Sequence, residues 1–222
     1  ERAELTEPDC GRTLSIISQA VEQAMLSTSR RVLSFGSPSV VATAALVATA
    51  VLAWAGGAQA AVTVLGGGLA RECSNAALGG QSDSRSEEAC TQALSTELLD
   101  LRDRAGTYVN RGVIKLRRKE FASAEWDFNR AIETKPDLGE AYVNRGAAWV
   151  GARRYADGLA DINRALELGV SEPEKAYYNR ALAHEGLEDL RAAYFDYRKA
   201  VELKPDWAPP QKELARFTVE RR

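Results

Sequence analysis

TYVNRGVIKLRRKEFASAEWDFNRAIETKPD (residues 107–137) is followed by two further copies of its own pattern, AYVNRGAAWVGARRYADGLADINRALELG (141–169) and AYYNRALAHEGLEDLRAAYFDYRKAVELKPD (176–206). The shared asparagines Asn110, Asn144 and Asn179 lie 34 and then 35 residues apart. A repeat of this length predicts an array of stacked structural units, so it decides the architecture before any single residue is considered.

Each copy combines small and large residues at fixed places. When the units are numbered from their first residues, positions 8, 20 and 27 carry only Gly or Ala in all three copies. This pattern resembles the tetratricopeptide repeat, a helix-turn-helix unit in which helix A and helix B cross at small residues. The resemblance implies an all-α fold, a right-handed α-solenoid. Its expected parts are units at 105–138, 139–173 and 174–207, and a capping helix at 208–222.

Charge and the scarcity of reactive side chains limit the functions that we expect. The net charge is −2, whereas a nucleic-acid binder normally carries a basic stripe, so we predict no nucleic-acid partner. The single histidine, His184, occupies a packing position of its unit. No glycine-rich phosphate loop, metal-ligand spacing or nucleophile elbow occurs in the sequence. We therefore predict a protein that is not an enzyme and that binds no metal or small-molecule cofactor.

The N-terminal quarter of the chain does not fit the repeat. Residues 1–24 precede Met25, the only methionine, and we interpret them as an upstream extension of the reading frame. Residues 25–60 have the three parts of a secretory signal peptide: a basic start, an apolar core and the small-residue pattern Ala-Gln-Ala that ends at Ala60. Cleavage after Ala60 would place the repeat in the periplasm or outside the cell.

A membrane anchor is the alternative interpretation of the same apolar stretch. The uncharged run from Val32 to Ala70 is long enough to cross a bilayer. Glycine pairs interrupt it, however, and it is rich in Ala and Thr rather than Leu and Ile. Retention of this segment would make the protein an inner-membrane-anchored scaffold, and only in that case do we expect contact with a membrane.

Two cysteines remain once the leader is removed. Cys73 and Cys90 lie in two short helical patterns joined by a glycine-containing loop, a geometry that a disulfide can span. We predict that they pair and pin residues 61–104, a degenerate first repeat, as an N-terminal cap. The alternatives are two buried thiols and, as a different function, a thiol-disulfide enzyme that uses these cysteines.

The resemblance also indicates a binding surface. In this family helix A of each unit lines the concave side of the array, and Asn110, Asn144 and Asn179 share one position of that helix. A carboxamide offers both a donor and an acceptor, so a row of them suits the backbone of an extended peptide. The apolar residues predicted to surround the asparagines in this groove are Val109, Val113, Val143, Ala147, Tyr178 and Leu182.

Two alternatives to this use of the asparagines remain open. They could be solvated or bonded within their own helices. The groove could also capture a C-terminal carboxylate with a clamp of Lys and Asn side chains, as chaperone-binding members of the family do. Asn144 and Lys175 match that clamp, but Val109, Val113 and Asn179 stand where it requires other residues.

Each unit also carries one Arg on helix A and one Asp on helix B. Because buried charges are normally paired, we predict ion pairs between the helices rather than an anion-binding site. The predicted pairs are Arg111 with Asp127, Arg145 with Asp161, and Arg180 with Asp196. The sequence as a whole therefore predicts an exported, non-catalytic adaptor or assembly factor that binds an extended segment of a protein partner.

Overall fold

The computed structural model describes residues 31–33, 40–44, 58–65 and 67–221. The chain divides into two compact units, Ala53–Phe217 and a smaller one of Glu1–Leu52 with Thr218–Arg222. In the smaller unit, the described strands β1 (Arg31–Leu33) and β2 (Val40–Ala44) pair antiparallel, with Val32 opposite Thr43.

The larger unit is helical, as the all-α prediction requires. Its described helices follow one another as antiparallel hairpins. They are α1 (Gly68–Leu78), α2 (Ser84–Thr96), α3 (Leu101–Arg117), α4 (Phe121–Thr134), α5 (Gly139–Gly151), α6 (Tyr155–Leu168), α7 (Pro173–Gly186), α8 (Leu190–Leu203) and α9 (Ala208–Leu214). The three sequence units are the pairs α3–α4, α5–α6 and α7–α8, so helix A is α3, α5 or α7. None of the helices within the described ranges is both long enough and apolar enough to cross a bilayer.

Small residues at position 8 let helices A and B approach each other closely. A Cβ atom on Gly112 would lie 2.5 Å from Phe128 Cε1, and one on Gly146 would lie 2.7 Å from Ile162 Cγ1. Phe128 and Ile162 are fully buried in return. The glycines therefore provide the space that the large residues of helix B fill.

The turn between helices A and B repeats as faithfully as the helices. Lys119, Arg153 and Glu188 all have φ of 63° and occupy the same position of their units. This left-handed conformation costs a non-glycine residue about 1–2 kcal/mol. Each turn therefore reverses the chain through one strained residue that the packing of the two helices must hold in place.

The predicted Arg–Asp ion pairs form in all three units, each with two parallel N–H···O bonds. In the second unit, Arg145 Nε lies 2.6 Å from Asp161 Oδ2 and Nη2 lies 2.9 Å from Oδ1. The other two have the same fork geometry: Arg111 with Asp127, and Arg180 with Asp196. Hydrogen bonding to Asp196 raises the pKa of Arg180 and opposes the effect of its burial.

The same arginines also join neighbouring units, a contact that the repeat pattern does not indicate. Arg145 Nη1 donates to Asn129 Oδ1 on helix B of the preceding unit at 2.7 Å. Arg180 Nη1 donates to Asn163 Oδ1 in the same way at 3.0 Å. Each guanidinium therefore connects two helices of its own unit to the unit before it.

Helices α1 and α2, which we call the cap, precede the repeats. A disulfide joins Cys73 to Cys90, whose Cα atoms are 4.8 Å apart. Asp83 caps α2 by accepting a hydrogen bond from Ser86 N–H at 2.9 Å, and this bond lowers the pKa of the Asp83 carboxyl. Arg117 of α3 donates to the carbonyl of Ala77 at 2.7 Å and so fixes the end of α1 against the first unit.

The C-terminal cap differs from the prediction of one helix over 208–222. Helix α9 ends at Leu214, and Phe217–Arg221 form strand β3. The β-branched pair Thr218-Val219 favours an extended chain, which accounts for the short helix. Phe217 still covers α8 as expected, because its ring lies 5.7 Å from that of Tyr194.

Candidate functional site

The groove predicted on helices A is occupied by the chain itself. Residues 58–65 form neither helix nor strand and lie in extended form against α3, α5 and α7. We call these eight residues the groove segment. Two parts of the prediction change: residues 61–65 do not belong to the helical cap, and the groove is already filled by this segment.

Two of the asparagines bind the backbone of the groove segment in the same way. Val62 N–H donates to Asn110 Oδ1 at 2.8 Å, and Asn110 Nδ2 donates back to Val62 O at 2.8 Å. Asn144 repeats this double bond with Ala60, at 3.1 Å and 2.8 Å. Asn144 Nδ2 also donates to Glu140 O within its own helix at 2.8 Å, so the local alternative operates alongside the peptide contact.

The third asparagine and a lysine bind the N-terminal end of the segment. Asn179 Nδ2 donates to Ala58 O at 2.9 Å, and Lys175 Nζ donates to Gln59 O at 2.9 Å. Asn179 Oδ1 is buried and has no hydrogen-bond partner within the described residues. Lys175, which matches one residue of the carboxylate clamp, here binds a main-chain carbonyl.

Ser74 of the cap and Asp103 in the first turn of α3 bind the C-terminal end of the segment. Ser74 Oγ of the cap donates to Val62 O at 2.9 Å and accepts from Val64 N–H at 3.3 Å. Leu65 N–H donates to Asp103 Oδ1 at 3.3 Å. The disulfide-linked cap therefore contributes directly to the groove, although neither Ser74 nor Asp103 carries a signal in the sequence.

The spacing of these contacts matches an extended chain. Asn179, Asn144 and Asn110 bind residues 58, 60 and 62 respectively, so the groove segment runs from the third unit to the first. Alternate residues of an extended chain are about 6.6–6.8 Å apart and point to the same side. One asparagine per repeat unit therefore meets every second residue of the segment.

The apolar residues predicted for the groove divide into two groups and one exception. Val109, Val113 and Ala147 belong to the same buried cluster as Val62. Val143 and Leu182 belong to the cluster of Ala60.

Tyr178 is the exception among the predicted groove residues. Its ring lies 5.2 Å from that of Trp207 and 5.7 Å from that of Tyr197. Burial raises the pKa of Tyr178 to about 12. This tyrosine therefore serves the core at the C-terminal end of the array.

The groove offers hydrogen bonds and apolar contacts rather than reactive groups. His184, the only histidine, lies with Nε2 3.8 Å from Asp196 Oδ2, beside the third ion pair. Within the ranges that the structure describes, no group of three or more His, Cys, Asp or Glu residues could hold a metal ion. The hydrogen bonds that the groove makes to the segment reach its backbone.

Comparison with known proteins supports the family. A family model described as tetratricopeptide repeat matches residues 174–206, the third unit. The third unit therefore matches the tetratricopeptide repeat by sequence, and the hairpins α3–α4 and α5–α6 repeat its helical arrangement. The array is a protein-interaction module, since such repeats act through the surfaces that they present. A search of curated proteins finds no match.

Solved structures share the fold. MamA from Desulfovibrio magneticus RS-1 is 20% identical with a TM-score of 0.52, covering 67% of this chain and 82% of its own. The first tetratricopeptide domain of human RPAP3 is 24% identical with a TM-score of 0.47, covering 50% of this chain and 87% of its own. At 20% identity the likeness to MamA concerns the fold alone.

Proposed function

We propose that this tetratricopeptide-repeat protein is an exported, non-catalytic adaptor or assembly factor that binds an extended segment of a protein partner in its groove. The observation that carries the proposal is the double hydrogen bond that Asn110 and Asn144 make to alternate residues of the groove segment. A site that binds backbone in this way accepts any chain of suitable shape, whether it comes from the same molecule or another.

The position of the groove segment suggests how a partner gains access. The signal-peptide cleavage proposed after Ala60 would cut inside the groove. It would remove residues 58–60 and free Asn144, Lys175 and Asn179 while Val62 stays on Asn110. Ala60 is 1% exposed in the folded chain, so we infer that cleavage precedes folding of the repeats around the segment.

An exported location predicts a defined mass and thiol state for the protein from its own host. We expect a chain that begins at Ala61, with Cys73 and Cys90 alkylated only after reduction, because an oxidising compartment keeps the pair closed. Intact-mass spectrometry with and without reduction measures both. A mass that retains the leader, together with free thiols, would contradict export and favour the membrane-anchored scaffold.

A thiol-disulfide activity has no structural support. Cys73 and Cys90 are both fully buried, whereas reactive cysteines are at least partly exposed to their substrates. We propose that this disulfide stabilises the cap.

Peptide binding to the groove can be measured once the groove segment is displaced. We define the segment-displaced variant as the full chain carrying Ala60→Arg and Val62→Arg, because neither arginine fits a buried position. A fluorescent peptide with the sequence of residues 58–65, AQAAVTVL, is expected to bind it. Adding Asn144→Ala and Asn179→Ala should remove three hydrogen bonds of about 1 kcal/mol each and weaken binding by roughly a hundredfold.

The matched control for this experiment is Asn75→Ala, which removes a carboxamide from the exposed face of α1. Circular dichroism and thermal unfolding check that each variant keeps its fold. Equal affinity of the Asn144→Ala, Asn179→Ala variant and the control variant would show that the asparagines do not bind the peptide.

A further inference from the structure

Every second side chain of the groove segment is buried against the helices. Ala58, Ala60, Val62 and Val64 are buried, with 7%, 1%, 9% and 3% of their surface exposed. Thr63 and Leu65, between and after them, are exposed. The groove therefore encloses four side chains of one face, and each of them is small or β-branched.

The two valines fit because one residue of α3 has no side chain. A Cβ atom on Gly106 would lie 2.9 Å from Val62 Cγ1 and 3.2 Å from Val64 Cγ2. The first distance is shorter than carbon atoms tolerate, so any side chain at position 106 would push the segment outward. In the other two units the equivalent residues are Glu140 and Lys175, so this space exists only in the first unit.

Ala60 is enclosed more completely than Val62, with 1% against 9% of its surface exposed. Ala60 packs into the cluster that contains Val143, Ala176 and Ala183 of α5 and α7. These residues are themselves buried on the helices, and close packing leaves no room for a longer side chain without displacing them. Asn144 holds the Ala60 backbone in place, so the segment cannot move away without losing its hydrogen bonds.

We propose that the groove selects an extended partner segment by side-chain size at alternate residues. The pattern is small at the first and third positions and β-branched apolar at the fifth and seventh. Gly106 determines the selection at the last two. The part of the groove segment that the chain retains, residues 58–65 before cleavage or 61–65 after it, competes for the site from within the chain. This inference rests on the proposed peptide-binding function, and it adds the chemical class of the partner. Thr63 and Leu65 face solvent and are free to vary, whereas Gln59 and Ala61 are partly buried.

The Asn179 side chain has an unused hydrogen-bond acceptor that a partner segment could reach. Asn110 and Asn144 each both donate to and accept from one residue of the segment. Asn179 only donates, and its buried Oδ1 lacks a partner among the described residues. A partner segment whose amide N–H reaches Asn179 Oδ1 would complete the third double bond, giving it an advantage over the groove segment.

The test varies side-chain size in the peptide and, separately, at position 106 of the protein. The segment-displaced variant is titrated with fluorescent AQAAVTVL, and then with the same peptide carrying Ala60→Leu or carrying Val62→Ala and Val64→Ala. We expect Ala60→Leu to weaken binding about tenfold or more, because overpacking a buried site is costly. Adding Gly106→Ala to the protein should weaken AQAAVTVL similarly, and the peptide with two alanines in place of its valines should recover the loss.

The possible outcomes separate selection from binding. Loss with Ala60→Leu and recovery of the Gly106→Ala protein by the smaller peptide would support the proposed selection. Equal affinity of all peptides for both proteins would overturn the selection and leave the peptide-binding function intact. Failure of every peptide to bind would overturn both. The Ala60→Leu comparison changes only the peptide. It therefore tests selection by size at the third position even if Gly106→Ala disturbs the protein.

Discussion

Replacing Arg145 by alanine is expected to lower the free energy of unfolding by about 3–5 kcal/mol, because it leaves a buried carboxylate without its cation. Asp161 is 10% exposed at its side chain and receives two hydrogen bonds from Arg145. The substitution also breaks the bond to Asn129 on the preceding unit. The loss should therefore appear both within the second unit and at its junction with the first, as a lower midpoint of urea unfolding.

The first unit provides an internal comparison for this prediction. Asp127 is also paired with Lys115, whose Nζ lies 2.8 Å from Asp127 Oδ2. Arg111→Ala should therefore destabilise the protein less than Arg145→Ala, since a second cation remains.

An exposed pair is the matched control for Arg145→Ala. Arg164 and Glu167 lie on the surface of α6, and Arg164→Ala should cost about 0.5 kcal/mol or less. If Arg145→Ala and Arg164→Ala had equal effects, the buried fork would contribute nothing beyond a surface ion pair. Replacing Arg145 and Asp161 together by leucine should restore much of the loss, because no unpaired charge then remains.

The repeat itself was predictable from the sequence because its constraints are local and occur three times. Glycine at position 8 indicates a helix crossing, and the structure fills that space with Phe128 or Ile162. An arginine and an aspartate that recur together imply a pair, since an unpaired buried charge is too costly to repeat. Because the glycine or alanine and the Arg–Asp pair recur at one spacing in three units, neither prediction depends on a single residue.

The occupied groove was not predictable, because it depends on a contact between residues far apart in sequence. Asn144 binds Ala60 across 84 residues and Asn179 binds Ala58 across 121. Locally, Ala58-Gln59-Ala60 has the composition of a signal-peptide end, and small residues suit that role and a narrow groove equally. Only the tertiary fold shows that the alternation along residues 58–65 matches the spacing of the asparagines.

The prediction of one helix over 208–222 was wrong about where the helix ends, and the reason lies in the local sequence. Pro209 and Pro210 favour the start of a helix, and the amphipathic spacing of Leu214 and Phe217 was extended beyond it. Thr218 and Val219 are β-branched and favour strand. The structure gives a seven-residue helix followed by β3. The strand propensity of Thr218 and Val219 therefore outweighs the helix-start signal of the two prolines beyond Leu214.

Removing the disulfide is expected to have the second large effect. The variant with Cys73→Ser and Cys90→Ser should lose about 3 kcal/mol of unfolding free energy, because the cross-link restricts the unfolded chain across a separation of 17 residues. Urea unfolding of the variant and the parent, both in the absence of reductant, measures this loss.

The groove should respond to the same substitution, and hydrogen exchange can detect it. Ser74 follows Cys73 on α1 and holds both Val62 and Val64 of the groove segment. Loosening the cap should therefore increase exchange at the Val64 amide more than at the Ala60 amide, which Asn144 holds independently of the cap.

Ser74→Ala separates the two roles of the cap. It removes the contact to the groove segment and keeps the cross-link, so it should increase exchange at Val64 with a stability loss of about 1 kcal/mol. If the double cysteine variant unfolded like the parent, the disulfide would not stabilise the cap. If it were less stable but left Val64 as protected as in the parent, the cap would hold the array together without controlling the groove. Loss of both properties would mean that the redox state of Cys73 and Cys90 also controls how firmly the first unit holds its own segment.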